Sequence, residues 1–221
     1  MFRNRKLKIT VLLLTIVLLG LALVEMSGML KVKENSKKPV ITTETVGPYT
    51  IRAERTKLQE DLLPKLKEAL DTKKGKPIVT EASKYFISDY FTLRDKKTSN
   101  MIGGTGFVYK PVKETFKTNA KDSYYNDLGA FKENYGKENL PLVTNVNVEG
   151  IKRAKVDKTT LKKSKDQKIM SVFDATLSWQ YEENDKLDTS KITNKIIVRF
   201  VKDNNNNWYV YELIGAENNE G

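Results

Sequence analysis

An apolar segment near the N-terminus places the strongest constraint on this chain of 221 residues. Residues 9–24 are apolar apart from two threonines and one glycine, and beyond Glu25 apolar residues continue to Leu30. Counted from Leu7, the stretch covers 24 residues, whereas a helix needs about 20 to cross the roughly 30 Å of hydrocarbon in a bilayer. The sequence therefore predicts a transmembrane anchor over residues 9–30.

Basic residues on one side of this segment predict its orientation. Arg3, Arg5, Lys6 and Lys8 precede it without an acidic residue among them. Because basic flanks favour the cytoplasmic side, residues 1–8 are expected to form a cytoplasmic tail, and the chain after the anchor is expected to lie outside the cell. A cleaved signal peptide begins with the same pattern, but residues 22–26 offer no small-x-small cleavage site. We therefore expect a retained single-pass anchor in the cell membrane.

The composition narrows the chemistry that the exported part could perform. The chain has no His and no Cys, and its 39 basic and 28 acidic residues give a net charge of +11. It thus lacks the commonest general base, the commonest metal ligand and any thiol nucleophile. Disulfides are excluded, which suits an exported protein of a Gram-positive bacterium. We expect no catalytic residue, no cofactor and no bound metal.

Two helices are predicted after a polar segment. Residues 31–50 lack apolar periodicity and are expected to be a stalk, with the folded domain spanning residues 51–221. Leucines then recur at helical spacing, with Pro64 as a kink or break and Gly75 as a stop. They are Leu58, Leu62, Leu63, Leu66 and Leu70. The second helix has one apolar face and one polar face that should point away from the core. The apolar face comprises Ala82, Tyr85, Phe86, Tyr90 and Leu93, and the polar face comprises Glu81, Lys84 and Asp89.

A third helical stretch covers residues 112–135, after which the apolar period changes from helical to two. Residues 173–181 alternate cleanly, and further strands are expected at residues 143–156, 195–201 and 208–214. A bulge is expected at Gly150, and the Asn-rich residues 203–207 fit a hairpin turn. Helices followed by a run of strands predict an α+β domain, with about three helices packed on a curved four-stranded antiparallel sheet.

Candidate binding and catalytic motifs are few. Residues 103–106, Gly-Gly-Thr-Gly, have neither the P-loop ending nor the dinucleotide fingerprint and are expected to form a tight turn. Glu182, Glu183 and Asp185 form an acidic turn that is more typical of a solvated hairpin tip than of a catalytic pair. A basic cluster could contact an anionic partner, either DNA or a wall polymer, or could be a solvated strand end and loop. It comprises Lys152, Arg153, Lys155, Lys158, Lys162, Lys163, Lys165 and Lys168.

The order of these parts resembles a known family. A short basic tail, one anchor, a stalk, a helix with Lys84-Tyr85-Phe86 and Asp89-Tyr90-Phe91, a glycine-bearing loop and four strands are similar to the layout of the VirB-eight-like bitopic subunits of type IV secretion. The similarity is to the TcpC-like, Gram-positive conjugation branch in particular. The Asn-Pro-x-Gly motif of Gram-negative members has no match, since residues 100–103 read Asn-Met-Ile-Gly. No site residue is therefore carried over.

The resemblance implies a cone-shaped fold like that of nuclear transport factor two and a non-enzymatic subunit that assembles the channel for plasmid transfer. The implied partners are other secretion-channel subunits and further copies of the chain, while direct contact with DNA is possible but unsupported. Two alternatives stay open: an exported small-molecule-binding or catalytic domain of the same fold, and a ring subunit of a sporulation or other secretion complex. A polar cluster buried at the open end of the cone would favour the first alternative, whereas an apolar, filled interior with an exposed apolar patch would favour assembly.

Overall fold

The computed structural model describes residues 42–157, 159, 161–162 and 168–215. The predicted cytoplasmic tail and the anchor at residues 9–30 lie outside these ranges. Within the described ranges, no helix is both long enough and apolar enough to cross a membrane. The described elements belong to the domain that follows the predicted anchor.

The domain is α+β, as the sequence predicts, with ten regular elements among the described residues. In chain order they are β1 Thr43–Val46, β2 Tyr49–Arg52, α1 Lys57–Asp71, α2 Gly75–Tyr90, α3 Lys113–Asp122, α4 Leu128–Tyr135, β3 Val143–Arg153, β4 Ser171–Tyr181, β5 Lys195–Lys202 and β6 Trp208–Gly215. Short 3-10 turns lie at Thr105–Phe107, Lys110–Val112, Lys137–Asn139 and Thr189–Lys191.

The last four strands form the predicted antiparallel meander in the order β3-β4-β5-β6. On β4, Phe173, Ala175, Leu177, Trp179 and Tyr181 are buried, which confirms the face assigned from the alternation. The register shifts between Val148 and Gly150, so the predicted bulge is present. At the β5–β6 turn, Asn206 takes a φ of 67°, the left-handed conformation that Asn tolerates better than most residues.

The first helix, α1, is continuous although it contains a proline. Thr56 and Gln59 make a capping box at its start: the Gln59 N–H donates to Thr56 Oγ1, and the Thr56 N–H donates to Gln59 Oε1. Pro64 is exposed and lies inside α1 without ending it. The expectation of a stop at Gly75 is wrong, because α1 ends at Asp71 and Gly75 begins α2.

The predicted third helix is two helices, so the described residues contain four α-helices rather than about three. The chain leaves the helical path between α3 and α4, where Tyr124 and Tyr125 turn inward. The hydroxyl of Tyr125 donates to the Tyr90 carbonyl at 2.6 Å, and that of Tyr124 donates to the Phe91 carbonyl at 2.8 Å. These two hydrogen bonds with the end of α2 interrupt a stretch whose spacing alone is helical.

The predicted stalk over residues 31–50 is wrong at its C-terminal end. Residues 43–52 form an antiparallel hairpin, β1–β2, and Val46, Tyr49 and Ile51 on it are buried in the core. The Tyr49 hydroxyl donates to the carbonyl of Trp208 at 2.7 Å, at the start of β6. A two-stranded hairpin is marginal alone, and here packing against the domain stabilises it. The folded domain therefore begins before residue 51.

Candidate functional site

The predicted basic cluster is only partly described, and its described members do not form one patch. Lys158, Lys163 and Lys165 lie outside the described residues, and Lys152, Arg153, Lys155, Lys162 and Lys168 are exposed. Lys152 and Arg153 end the edge strand β3, whereas the Lys162 N–H donates to the hydroxyl of Tyr211 on the opposite edge strand at 2.8 Å. Strands lie about 4.8 Å apart, so three spacings separate these edges. An anionic partner of this cluster stays a prediction.

The acidic turn after β4 is solvent-exposed, as predicted. Glu182, Glu183 and Asp185 are all exposed. Glu182 pairs with Arg94, and Asn184 organises the turn by accepting from the N–H groups of Lys186 and Leu187. A search of the described residues finds no group of acidic side chains arranged to hold a metal ion.

Asp89 is buried, which corrects the prediction that it points away from the core. Its Oδ1 accepts from Arg52 at 2.5 Å and from the ammonium of Lys96 at 3.0 Å, and its Oδ2 accepts from the Gly104 N–H at 2.7 Å. Asp95 also binds both Arg52 and Lys96. We call Arg52, Asp89, Asp95 and Lys96 the buried charge cluster; it joins the β1–β2 hairpin, the end of α2 and the loop after it.

The electrostatics of this cluster keep Asp89 ionised. Burial by itself raises the pKa of the Asp89 carboxyl, but the positive charges of Lys96 and Arg52, with the hydrogen bond from the Gly104 N–H, outweigh it and lower the pKa to about 2. For Arg52, burial acts to lower the pKa and the two carboxylates raise it, with a net increase. The cluster carries two positive and two negative charges, so it is neutral as a unit.

The glycine-rich loop fits closely around this cluster. Gly104 has a φ of 70° and lies against the ring of Phe86, and a Cβ on Gly106 would coincide with the carbonyl oxygen of Thr50. Both positions therefore require glycine for steric reasons. The expected tight turn is confirmed, since the Phe107 N–H donates to the Gly104 carbonyl at 2.9 Å.

Aromatic side chains fill the space between the helices and the sheet. Tyr90 packs against Phe91, Tyr124 and Tyr125, and Phe91 stacks on Trp179 with ring centroids 4.2 Å apart. Burial raises the pKa of Tyr90, Tyr124 and Tyr125. These hydroxyls are therefore neutral at physiological pH and poor candidates for acid-base chemistry.

A groove of about 500 Å³ lies between α3 and the edge strand β6. Phe116 and Ala120 of α3 line one side, and Tyr211 and Leu213 of β6 line the other. Near the start of β6, the strand edge already makes a backbone hydrogen bond, because the Tyr109 N–H donates to the Val210 carbonyl at 2.8 Å. Beyond Val210, residues 211–213 of β6 line the groove.

A second, smaller cavity of about 190 Å³ lies beside the buried charge cluster, between the β1–β2 hairpin, the glycine loop and the start of α3. Sequence reasoning identified neither this cavity nor the cluster. The only local signal was the charged run of residues 94–97, and nothing in it indicates which lysine is buried. The partners come from segments up to 44 positions away along the chain, counting from Arg52 to Lys96.

Comparison of the chain with protein-family models, with curated proteins and with solved structures finds no match in any of the three.

Proposed function

We propose that this chain is a non-enzymatic, membrane-anchored scaffold subunit of a conjugative DNA-transfer channel of the type IV secretion class. The observation that carries the scaffold part is the aromatic filling of the interior, in which Tyr90, Phe91 and Trp179 occupy the space that a reaction chamber would need. The conjugation part is supported by the layout of basic tail, anchor and exported domain, which resembles the VirB-eight-like subunits.

The charged groups of the interior also favour a structural role. The carboxylate of Asp89 is held by three donors, and an acid or base in catalysis instead needs a pKa near the working pH and a free face toward a substrate. The pKa of Asp89, at about 2, is far from that range. These ionised side chains therefore stabilise the fold rather than transfer protons.

The open groove between α3 and β6 supplies a docking surface for another channel subunit. It combines half-buried aromatic and aliphatic side chains with the polar side chains of Thr115, Asn119 and Glu212. Protein interfaces have this mixed composition, with an apolar centre and a polar rim. A sheet edge beside such a groove can also accept backbone hydrogen bonds from a partner segment.

The tethering part of the proposal can be tested by plasmid transfer between cells. Deletion of the gene should abolish transfer and leave growth unchanged, and the full chain should restore transfer. The domain expressed without residues 1–30 should not restore it, because confinement to one membrane raises the effective concentration of weakly interacting domains. Full transfer with the untethered domain would contradict the scaffold proposal.

The docking part can be tested with two matched substitutions on α3. Thr115 lines the groove, whereas Thr118 is exposed outside it. Thr115→Trp should fill the groove and reduce transfer strongly, while Thr118→Trp should leave transfer near the wild-type level. Equal transfer by the two variants, at equal protein levels, would exclude the groove as a docking surface.

One observation favours the small-molecule alternative: the groove volume of about 500 Å³ falls within the roughly 300–1,000 Å³ typical of ligand pockets. Under that alternative, site-directed crosslinking from the groove in intact membranes would capture no protein partner, yet Thr115→Trp would still impair function. Under the scaffold proposal, a crosslinker at Asn119 captures another subunit of the channel. The exposed carboxylates give a further control, because Glu183→Gln and Asp185→Asn should leave transfer unchanged in a scaffold.

A further inference from the structure

The small cavity beside the buried charge cluster is lined by side chains that can donate hydrogen bonds. The lining residues whose side chains carry donors are Arg52 on β2, Lys113 at the start of α3, and Thr43, Thr50 and Thr105. Asp89 also lines it, but the oxygens of its carboxylate already accept from Arg52, Lys96 and the Gly104 N–H. The cavity therefore offers several donors, and its single carboxylate is already neutralised.

Lys113 brings to the cavity a positive charge that has no ion pair among the described residues. The buried charge cluster is neutral as a unit, and the ion pairs of the described residues do not include Lys113. The neighbouring carboxylate on the same helix, Glu114, pairs with Lys117 at 2.9 Å. The pKa of Lys113 is lowered by partial burial and by the charge of Lys117, and the negative charge of Glu114 offsets only part of this decrease. An anion in the cavity would offset both effects.

Arg52 and the start of α3 also favour an anion in this cavity. The Nε–H of Arg52 is buried and has no acceptor among the described residues, and a buried donor without a partner is costly. Lys113 is also the first residue of α3, whose N-cap residue, Val112, makes no side-chain cap. The Lys113 N–H itself donates to the Lys110 carbonyl, so α3 contributes the positive end of its dipole at this position, which favours negative charge.

From these observations we infer that the cavity between the β1–β2 hairpin, the glycine loop and the start of α3 binds a phosphate-type oxyanion. A tetrahedral oxyanion presents several acceptor oxygens in different directions, which matches donors that come from three segments of the chain. The volume of about 190 Å³ is below the roughly 300 Å³ at which pockets begin to hold drug-sized ligands. The site therefore fits a single phosphate group rather than a nucleotide.

This inference is independent of the proposed role in conjugation, because it depends only on residues of the cavity. The test uses the full chain in phosphate-free detergent micelles. Inorganic phosphate is titrated by calorimetry at constant ionic strength, since screening by salt would otherwise change all charge interactions together. We expect saturable binding with one site per chain.

Two lysines make a matched pair of variants. Lys113→Ala removes the unpaired charge from the cavity, and Lys110→Ala removes an exposed charge three residues earlier that does not line it. Loss of a charge-assisted hydrogen bond should weaken phosphate binding by about 10-fold or more in the Lys113 variant. The Lys110 variant should bind like the wild type. Thr105→Val, a third variant, should weaken binding less than Lys113→Ala.

Binding that is not saturable at millimolar phosphate would overturn the inference, and so would equal weakening by Lys113→Ala and Lys110→Ala, which would indicate general charge attraction. The phosphate could be a free ion or a lipid headgroup. In nanodiscs containing phosphatidylglycerol, a headgroup in the site would compete with inorganic phosphate and lower its apparent affinity relative to micelles. Unchanged affinity would assign the site to the free ion. Both results retain the site.

Discussion

The ammonium of Lys96 lies 3.0 Å from Oδ1 of Asp89, and the side chain of Lys96 is entirely removed from solvent. Lys96 also donates to the Asp89 carbonyl at 2.8 Å and to Asp95 Oδ1 at 2.7 Å, so its three N–H groups all have acceptors. A buried ammonium is tolerated only with such complete pairing. The pair joins the end of α2 to the loop after it, and Arg52 links both carboxylates to the β1–β2 hairpin.

Removing the ammonium should destabilise the domain strongly. Lys96→Met keeps the aliphatic part of the side chain but leaves Asp89 and Asp95 with Arg52 alone, and breaking a buried ion pair costs about 3–5 kcal/mol. The adjacent Lys97 is exposed, so Lys97→Met is the matched control and should change the free energy of unfolding little. The measurement is urea unfolding of the full chain in micelles. Equal midpoints for the two variants would mean that Lys96 is not buried in solution.

Acid should weaken the same cluster. The pKa of Asp89 is about 2 in the folded domain, below the value of about 3.9 for an unfolded Asp. A lowered folded pKa stabilises the domain above the unfolded pKa, and this contribution is lost as the pH falls from about 4 through about 2. The free energy of unfolding should therefore decrease over this interval. The Asp89→Asn variant should be less stable than the wild type at neutral pH, and its free energy of unfolding should decrease less over this interval. If the free energy of unfolding fell equally with pH in both proteins, a group other than Asp89 would be titrating.

Trp179 should be among the costliest side chains to truncate. It is buried on the inner face of β4 and stacks on Phe91. Trp179→Ala should lower the free energy of unfolding by about 3–5 kcal/mol, because it leaves a large cavity. The neighbouring Gln180 is exposed, so Gln180→Ala serves as the control. A loss below about 1 kcal/mol for Trp179→Ala, outside the range seen for buried aromatics, would contradict the packing of this face.

Replacing Pro64 should stabilise the domain. Pro64 is exposed and lies inside α1, where it cannot donate a hydrogen bond to the carbonyl of Glu60. Ala avoids a helix-interior penalty of up to about 3 kcal/mol, although the more flexible unfolded chain offsets part of the gain. Pro64→Ala should therefore raise the melting temperature, and Lys65→Ala, at an exposed neighbour, should leave it nearly unchanged. A decrease for Pro64→Ala would show that the proline fits the helix without strain.

Much of the fold follows from local patterns in the sequence. The alternation on β4 identifies its buried face, since a strand exposes successive side chains to opposite sides. The bulge beside Gly150 and the turn at Asn206 are also signalled by the residue types at those positions, and Asn206 takes the left-handed conformation that Asn tolerates. The helical spacing of the leucines in α1 holds despite Pro64. In each case the information lies within a few consecutive residues.

Other features depend on partners that are distant in the sequence. The spacing of Asp89 assigns it to the polar face of α2, yet Arg52, 37 residues earlier, and Lys96 make its burial favourable. Residues 43–52 have the polar composition of a stalk, but Tyr49 among them is buried in the core. Tyr125 ends a helical stretch because its hydroxyl donates to the Tyr90 carbonyl. The candidate oxyanion cavity depends on the same approach of distant segments. The sequence by itself determined the helical spacing of α1, the antiparallel meander of four strands and the buried face of β4, because these patterns are local. The tertiary structure alone decided that residues 43–52 form a hairpin on the core and which charges are buried, because the cost of burying a charge depends on the neighbours that packing brings to it.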